Sequence, residues 1–373
     1  MRTLILFLLM LSVCVFSQAS EDVHKSAPAG SSGGIMNPDI SVIVDSQLLY
    51  TDDKSNEDRD KLRINEAELT FQCYLYPGVR GDFIVAMHEH DGEWNTHPEE
   101  AYVSFLDVPG GLQIIAGRKL LDFGRLNSVH PHHWSFAGTP LPLANFFGNH
   151  TWYDDGVQIT SLVQNPWDVY LKIGVGGWNG RELAHHHDEE SAEDEHHHHD
   201  DGAEEHHSHD PLHWHGHVYT GRISLDVMHG DNADSMFGYS LARDERGETS
   251  LHGVDFAYTY RWPFTYRKFR WQSELFMAEV DEGDKSPCGY YSLLQLTLDK
   301  NWELGMRYDH SEFADNDEED EWAVSTFLSY YFTHSMYVRP EYRYREMHNG
   351  ESENALYLQL VWGLGPHSHR IED

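Results

Sequence analysis

The sequence predicts an all-β protein, a transmembrane antiparallel β-barrel of about 16 strands. Apolar and polar residues alternate with a period of two along most of the chain after position 38, which is the pattern of strands with one face in lipid. The connections alternate between tight turns and long polar loops, as in outer-membrane barrels. After the amino-terminal segment, no stretch approaches the roughly 20 apolar residues of a membrane-spanning helix.

The amino-terminal segment, residues 1–19, has the features of a secretory signal peptide. A basic residue precedes an apolar core over 4–16, and small residues over 17–19 form a cleavage site. An uncleaved membrane anchor is the alternative, although the apolar run is short for a span. Residues 20–37, rich in Ser, Gly and Ala, are expected to form a flexible leader before a barrel over 38–365.

The chain is strongly acidic. It has 373 residues with 62 Asp and Glu against 26 Lys and Arg, which gives a formal charge of −36. Such a charge repels the phosphates of nucleic acid and attracts cations. After removal of the signal peptide only Cys73 and Cys288 remain, which excludes a disulfide scaffold and leaves their pairing open.

The segment over 353–364 shows the two-residue period best. Leu358 and Leu360 share one face, whereas Gln359 takes the other. Sixteen segments of this kind occur over 38–364, and an even number is what a closed bacterial barrel with both ends on one side requires. A soluble β-sandwich is the alternative, but a sandwich has no reason to sort its connections by length.

Eight connections are predicted to be long and external. Most of them are acidic or carry histidine, and tight turns join the strands at the other end of the barrel. The predicted long loops cover 51–61, 91–97, 120–154, 182–215, 243–248, 280–287, 312–321 and 347–353.

The polar faces of the strands are predicted to point into the barrel, because charge on a lipid-facing side is costly. The penultimate strand is the most charged, with Arg339, Arg343 and Arg345 on one face. Such side chains either brace the wall by pairing with acids or line a permeation path, and the sequence leaves both interpretations open. The other inward polar side chains are predicted to be Glu66, Glu68, Thr70, Gln72, Glu100, Tyr102, Ser104, Arg222, Ser224, Asp226, Arg270, Gln272, Glu274, Glu303, Arg307, Asp309 and Glu341.

The third long loop, over 120–154, differs from the others because it is apolar, aromatic and rich in Pro. A loop of this composition is expected to fold into the lumen and narrow it. The alternative is an ordered lid that its own aromatic residues stabilise, with incidental histidines. The residues predicted at the constriction, from this loop and its flanks and from the penultimate strand, are Arg118, Arg125, His130, His132, His133, His150, Arg339, Arg343 and Arg345.

The loop over 182–215 is rich in His, Asp and Glu and has no Lys or Arg. It has no apolar period, so it is predicted to be a solvated external loop without fixed structure. Imidazole and carboxylate are ligands for zinc, copper and nickel, and redundant ligands on a mobile loop predict weak, multi-site binding. The predicted metal-binding residues, which continue to the start of the next strand, are His185, His186, His187, His196, His197, His198, His199, His206, His207, His209, His213, His215 and His217.

Three of these residues, His213, His215 and His217, are the best candidates for an ordered site. They lead into a predicted strand over 216–228, where alternation would put them on one face. Closed zinc sites use few ligands at defined spacing, unlike the rest of the tract. The alternative is a hydrated loop base without a site.

The segment over 99–148 resembles a known family. It reads EEAYVSFLDVPGGLQIIAGRKLLDFGRLNSVHPHHWSFAGTPLPLANFFG, and it is similar to outer-membrane proteins described as zinc-regulated receptors, which are related to phosphate-selective porins. The opening NPDISVIVD, the His tract and the final strand followed by GPHSH fit as well. The resemblance implies a porin fold in the outer membrane of a Gram-negative cell, zinc as a bound or transported ion, and a homotrimer.

The favoured hypothesis is a passive or facilitated pore that concentrates divalent metal, zinc first, at the cell surface and admits it. No cofactor is required, the expected partners are outer-membrane lipid and metal ions, and the charge excludes nucleic acid. The alternatives are an anion or general diffusion porin, which the inward Arg residues favour, and a surface metal-binding protein that does not transport. An enzyme is not expected, because no HExxH pattern occurs and no Ser lies in a predicted strand-to-helix elbow.

Overall fold

The computed structural model describes residues 38–54, 56, 58–90, 93–148, 151–167, 169–181 and 209–366. The predicted signal peptide and flexible leader lie outside the described residues. So do His150 and the predicted metal ligands from His185 to His207.

Sixteen antiparallel strands form one closed barrel, which confirms the fold predicted from the sequence. Each strand pairs with its neighbours along the chain, and β1 closes the barrel by pairing with β16, where Val42 lies opposite Leu364. The strands are β1 (Asp39–Thr51), β2 (Lys61–Tyr76), β3 (Val79–His90), β4 (Glu93–Val108), β5 (Leu112–Leu120), β6 (Tyr153–Val163), β7 (Tyr170–Trp178), β8 (Val218–His229), β9 (Ala233–Asp244), β10 (Ser250–Arg261), β11 (Lys268–Glu279), β12 (Cys288–Thr297), β13 (Trp302–Phe313), β14 (Asn316–Thr333), β15 (Met336–Glu346) and β16 (Ser352–Leu364). Cys73 in β2 and Cys288 in β12 are both free thiols.

Alternation sorts the side chains of each strand between the two faces of the wall. In β16, Leu360 is exposed on the outside, whereas Tyr357 and Gln359 are buried on the inside. Large apolar side chains such as Tyr239 and Val254 are exposed on the outer face, where hydrocarbon suits them better than water. The polar side chains predicted to point inward are buried or half-buried on the other face.

Two predicted loops are mostly strand, so those predictions were wrong. β4 begins at Glu93, within the predicted loop over 91–97, and β14 begins at Asn316, within the predicted loop over 312–321. These hairpins continue beyond the apolar band of the barrel. Apart from Trp94, the residues of these extensions are polar, so no regular alternation of polarity marks the strand.

The connection between β5 and β6, residues 121–152, is loop L3. It contains a 3₁₀ turn (Pro131–His133) and one short α-helix, α1 (Leu141–Phe147). Helix α1 ends at Gly148, whose φ of 81° suits a residue without a side chain. Within the described residues, no helix has both the length and the apolar character needed to cross a membrane.

The main apolar core lies inside the barrel, between L3 and the inner wall. Phe123 and Phe147 of L3 pack on Phe276 of β11, with ring centroids 6.1 and 5.6 Å apart. At the end of L3, Trp152 stacks on Trp214, which precedes β8, at 5.0 Å. Because each aromatic side chain buries a large apolar area, this packing holds L3 within the barrel.

Candidate functional site

Loop L3 is attached to one side of the barrel through β9 and β11. The backbone N–H groups of Arg125 and Leu126 donate to the two carboxylate oxygens of Glu274, at 2.7 and 3.0 Å. The N–H of Gly124 donates to Ser240 Oγ at 3.0 Å. These bonds satisfy buried backbone donors that no strand pairs, and they fix where the loop enters the lumen.

The middle of L3 is attached to a different side of the barrel, at β15. The N–H of Ala137 donates to Glu341 Oε2 at 2.6 Å. The hydroxyl of Tyr337 donates to the carbonyl oxygen of His132 at 2.5 Å. L3 therefore runs through the interior of the barrel from β9 and β11 to β15.

Near this second attachment, L3 places two histidines against the acidic inner faces of β2 and β4. His130 Nδ1 lies 3.2 Å from both Glu68 Oε2 and Glu99 Oε2, and His130 Nε2 lies 3.3 Å from Glu100 Oε2. His132 Nδ1 lies 3.3 Å from Glu66 Oε1. We name this group the His130 cluster, which consists of Glu66, Glu68, Glu99, Glu100, His130 and His132.

Local backbone geometry brings the four acids of the cluster together. Glu66 and Glu68 are two residues apart on β2, so strand alternation turns both into the lumen. On β4 a β-bulge does the same for two adjacent residues, because the extra residue Glu99 shifts the register between β3 and β4. Glu99 and Glu100 are consequently both buried. The sequence predicted Glu66, Glu68 and Glu100 inside but missed Glu99, since a bulge interrupts the period.

The charges in the cluster act on the two imidazoles differently. Burial by itself would lower the pKa of His130, but Glu99 and Glu68, with a hydrogen bond to Glu100, raise the pKa of His130 well above its ordinary value. Burial lowers the pKa of His132, although Glu68 attracts its charged form. His130 is thus the group that holds positive charge among the carboxylates. An imidazole surrounded by carboxylates can bind either a proton or a divalent metal ion.

Two other predicted constriction residues, His133 and Arg125, also lie on the part of L3 inside the barrel. His133 packs edge-on against His132, with ring centroids 4.2 Å apart. Arg125 is buried near β11, where its Nε donates to Gln272 Oε1 at 3.2 Å. Arg125 and the histidines from His130 to His133 therefore all lie on the part of L3 inside the barrel, at two separate places along it.

Arg118 does not reach the lumen, so its prediction as a constriction residue was wrong. On β5 its neighbour Lys119 is the one buried on the inner face. Arg118 lies opposite Ala101 and Asp155, and its Nε binds Asp155 Oδ1 at 2.8 Å on the outer face. The reason is the period of two, in which a shift of one residue exchanges the faces.

Arg339, Arg343 and Arg345 of β15 point into the barrel, and the wall engages each of them. Arg343 Nη2 binds Glu353 at 3.2 Å, and Arg345 Nε donates to Glu321 at 2.7 Å. Arg339 donates to neutral side chains of β14 and β16. These contacts brace β15 between its neighbours, as the first of the two interpretations expects.

At the long-loop end of the barrel, His209 meets residues that the sequence did not indicate. Its Nδ1 lies 2.9 Å from Asp315 Oδ1 and its Nε2 lies 3.3 Å from Glu319 Oε2. His348 Nε2 lies 3.7 Å from the same Glu319 oxygen. We name His209, Glu319 and His348 the rim group. Its acid and second imidazole come from distant hairpins, so no motif spacing could have found them.

The three candidates for an ordered site at the end of the His tract do not share a strand face. The rings of His213 and His215 lie together, with centroids 4.7 Å apart. The chain then turns at Gly216, which has a φ of 90°, and β8 begins only at Val218. The prediction that a strand aligns these two histidines with His217 was therefore wrong.

Solved structures of porins are similar to this barrel, although no protein-family model matches the sequence. The anion-selective porin from Comamonas acidovorans is 11% identical with a TM-score of 0.56, and the match covers 88% of this chain and 99% of that one. Salmonella typhi OmpF in complex with daunomycin is 12% identical with a TM-score of 0.54, and the match covers 88% and 97%. The chain has the fold of a porin.

The porin-like barrel has two further relatives of note. The outer-membrane channel DcaP of Acinetobacter baumannii is 12% identical with a TM-score of 0.52, over 88% of this chain and 96% of that one. An uncharacterized protein of Aquifex aeolicus is 27% identical to this chain. The match covers 73% of this chain and 64% of the length of that protein. The barrel is thus similar to outer-membrane proteins of Gram-negative bacteria and crosses the membrane with its strands.

Proposed function

We propose that this porin-like barrel captures divalent metal ions, zinc first among them, at the cell surface and admits them across the outer membrane. The observation that carries the proposal is the rim group. His209, Glu319 and His348 come from three separate hairpins, yet their ligand atoms lie within 4.8 Å of one another. Two imidazoles and one carboxylate form a donor set that zinc accepts, with a fourth position left for water.

The rim group stands next to the predicted metal-binding tract, whose first described residue is His209. Redundant ligands from His185 to His207 would collect ions in the external medium and pass them on by exchange. His209 and Glu319 are half-buried and His348 is exposed, so the site is open to solvent on one side. An ion held there can be released to solvent, which transport requires.

The charge of the chain supports a cation as the transported ion. The formal charge of −36 makes the potential around the barrel attractive to cations. Inside, the guanidinium groups of Arg343 and Arg345 are offset by Glu353 and Glu321, so they contribute little net field along the lumen.

An anion path is the second candidate. Arg339 supports it, because this buried cation donates to the neutral side chains of Ser329 and Gln359. Similarity to an anion-selective porin also supports it. Reversal potentials of the purified protein in planar bilayers separate the two: we expect cation selectivity, and anion selectivity would contradict the metal proposal.

We also propose a homotrimer in the outer membrane. The support is similarity to OmpT of Vibrio cholerae, described in a trimer form, at a TM-score of 0.53 and 11% identity. Chemical cross-linking in isolated outer membranes tests it, and a single monomer band would argue against it.

Zinc uptake at limiting zinc, in cells that produce the full chain, tests the main proposal. His348→Ala should raise the zinc concentration for half-maximal uptake by about tenfold or more, since even losing a supporting group around a metal typically weakens binding that much. His334→Ala, in the exposed turn at the other end of the barrel, is the matched control and should behave as wild type. Equal outer-membrane abundance of the variants is checked by immunoblot.

A deletion of residues 184–208 extends this test to the tract. It leaves the described segment from His209 onward, so the rim group is kept while the redundant ligands are lost. Uptake should again need more zinc. Wild-type uptake in both the deletion and His348→Ala would exclude surface capture by this chain.

A further inference from the structure

We propose that the His130 cluster binds one divalent transition-metal ion between L3 and the barrel wall. Glu68, Glu99 and His130 supply the first ligands, and Glu66 supplies a fourth. The bound ion fastens L3 to β2 and β4. This inference goes beyond the proposed function, because it holds whether or not ions pass through the barrel.

The spacing of the ligand atoms fits a metal. His130 Nδ1 lies 3.2 Å from Glu68 Oε2 and 3.2 Å from Glu99 Oε2. Two ligands at about 2.1 Å from a tetrahedral zinc ion are separated by roughly 3.4 Å, which follows from the bond lengths and angle. The four ligand atoms, with Glu66 included, lie within 4.8 Å of one another, so little movement would bring them to one ion.

The same atoms have few other partners. Among the residues that the structure describes, Glu68 Oε2, Glu99 Oε2 and His130 Nδ1 are buried atoms that make no well-formed hydrogen bond, and their contacts are with one another and, for Glu68, with His132 Nε2 at 3.7 Å. The side chains of Glu68 and Glu99 are only 1% and 8% exposed. A buried polar atom that is left unsatisfied is costly, and a metal ion would satisfy all three at once.

The remaining acid of the cluster is already occupied. Glu100 accepts the backbone N–H of Leu120 at 2.9 Å and contacts His130 Nε2 at 3.3 Å. It therefore orients the ring so that Nδ1 faces Glu68 and Glu99. A carboxylate that holds the second nitrogen of a ligand histidine is the usual support of a metal site.

The charge balance also favours a cation. Four carboxylates meet two imidazoles in a closed space, so the cluster has excess negative charge even when His130 is protonated. Buried charge of one sign is stabilised by a counter-charge close to it. A divalent ion supplies two positive charges at the point where the oxygens converge.

Metal binding would act on L3 as a latch. His130 precedes the 3₁₀ turn, in which the N–H groups of His133 and Trp134 donate to His130 and Pro131 at 2.9 and 3.0 Å. On its other side the turn is tied to β15 through Tyr337. An ion that joins His130 to β2 and β4 therefore holds the turn between two walls of the lumen.

Hydrogen exchange of the purified full-length protein in detergent, with and without Zn²⁺, tests the latch. When opening of the turn releases the ion, exchange slows by the factor 1 + [Zn²⁺]/Kd, which is about tenfold at ten times Kd. The reporters are the amides of His133 and Trp134. We expect this slowing in the wild-type protein and its loss in Glu99→Gln, which keeps the shape of the side chain but weakens it as a ligand.

The matched control is Glu303→Gln, a buried inward acid on β13 whose hydrogen bonds come from Thr297 and Tyr331. It should keep the zinc effect. If Glu99→Gln does not give a folded barrel, shown by heat-modifiable migration in gels, Glu68→Gln takes its place with the same expectation. No slowing in the wild-type protein, or equal slowing in the ligand variant, would overturn the inference. Zinc protection of L3 together with wild-type uptake in both His348→Ala and the deletion of residues 184–208 would contradict the proposed function and leave metal binding by the His130 cluster supported.

Discussion

Removal of the Glu274 carboxylate should free the first part of L3 while the barrel stays closed. Glu274 accepts the N–H groups of Arg125 and Leu126 at 2.7 and 3.0 Å, and the hydroxyl of Tyr291 at 2.5 Å. A hydrogen bond to a charged group contributes about 1.5–3 kcal/mol. Loss of the two backbone bonds in Glu274→Ala should therefore cost about 3 kcal/mol of local stability, which corresponds to roughly a hundredfold rise in the opening of L3.

Hydrogen exchange in detergent measures this opening directly. The two L3 amides should exchange about a hundredfold faster in Glu274→Ala, whereas the amides of β11 stay protected by their ladders to β10 and β12. Glu303→Ala is the matched control, because it removes an inward acid that accepts from strand side chains of β12 and β14. Unchanged exchange in Glu274→Ala, or equal acceleration in both variants, would refute the role of Glu274 as an anchor of L3.

Two further substitutions test the wall of the barrel. Arg307→Leu removes the nearest counter-charge of Asp309, its buried partner at 2.9 Å. Thermal unfolding in detergent should therefore show a loss of about 3–5 kcal/mol that the double variant Arg307→Leu/Asp309→Leu partly recovers; equal stability of both variants would contradict this. Gly117→Ala, at a φ of 130°, would place a Cβ atom 2.2 Å from the carbonyl oxygen of Ala101, so the yield of folded barrel should fall. Gly221→Ala is the control, because its Cβ atom would meet open space and the variant should fold normally. Equal yields of the two variants would refute the steric constraint at Gly117.

The strands could be predicted from the sequence because lipid imposes one rule on every residue of a spanning strand. A residue such as Leu360 meets hydrocarbon and its neighbour Gln359 meets the interior, so polarity indicates which face of the wall each side chain takes. The rule ends where the lipid ends. The extensions of β4 from Glu93 and of β14 from Asn316 are polar apart from Trp94, and they were predicted as loops for that reason.

The candidate sites could be predicted only in part, because they join residues that are distant in the chain. The inward direction of Glu66 and Glu68 follows from alternation, and the composition of L3 predicts its histidines in the lumen, but nothing in the sequence predicts that the two sets meet. The bulge at Glu99 breaks the period that the prediction relies on. The contact of His209 and His348 with the same Glu319 carboxylate depends on which hairpins are neighbours around the rim of the barrel. Composition does not predict which hairpins are neighbours.

The base of the His tract packs against L3 through Leu212 and Trp214, whereas His213 and His217 beside them are exposed. Trp214 stacks on Trp152 of L3 with planes 10° apart, and the N–H of the buried Leu212 donates to a carbonyl oxygen of α1 at 3.1 Å. At the other end of the tract, Asp154 accepts the N–H of Gly180 at 2.7 Å. The residues that flank the tract, around Gly180 and from Leu212 to Trp214, therefore contact L3 or the strand that follows it. Because the Trp214 ring is packed on Trp152, we expect a peptide of the tract alone to lack the conformation of the 209–217 segment.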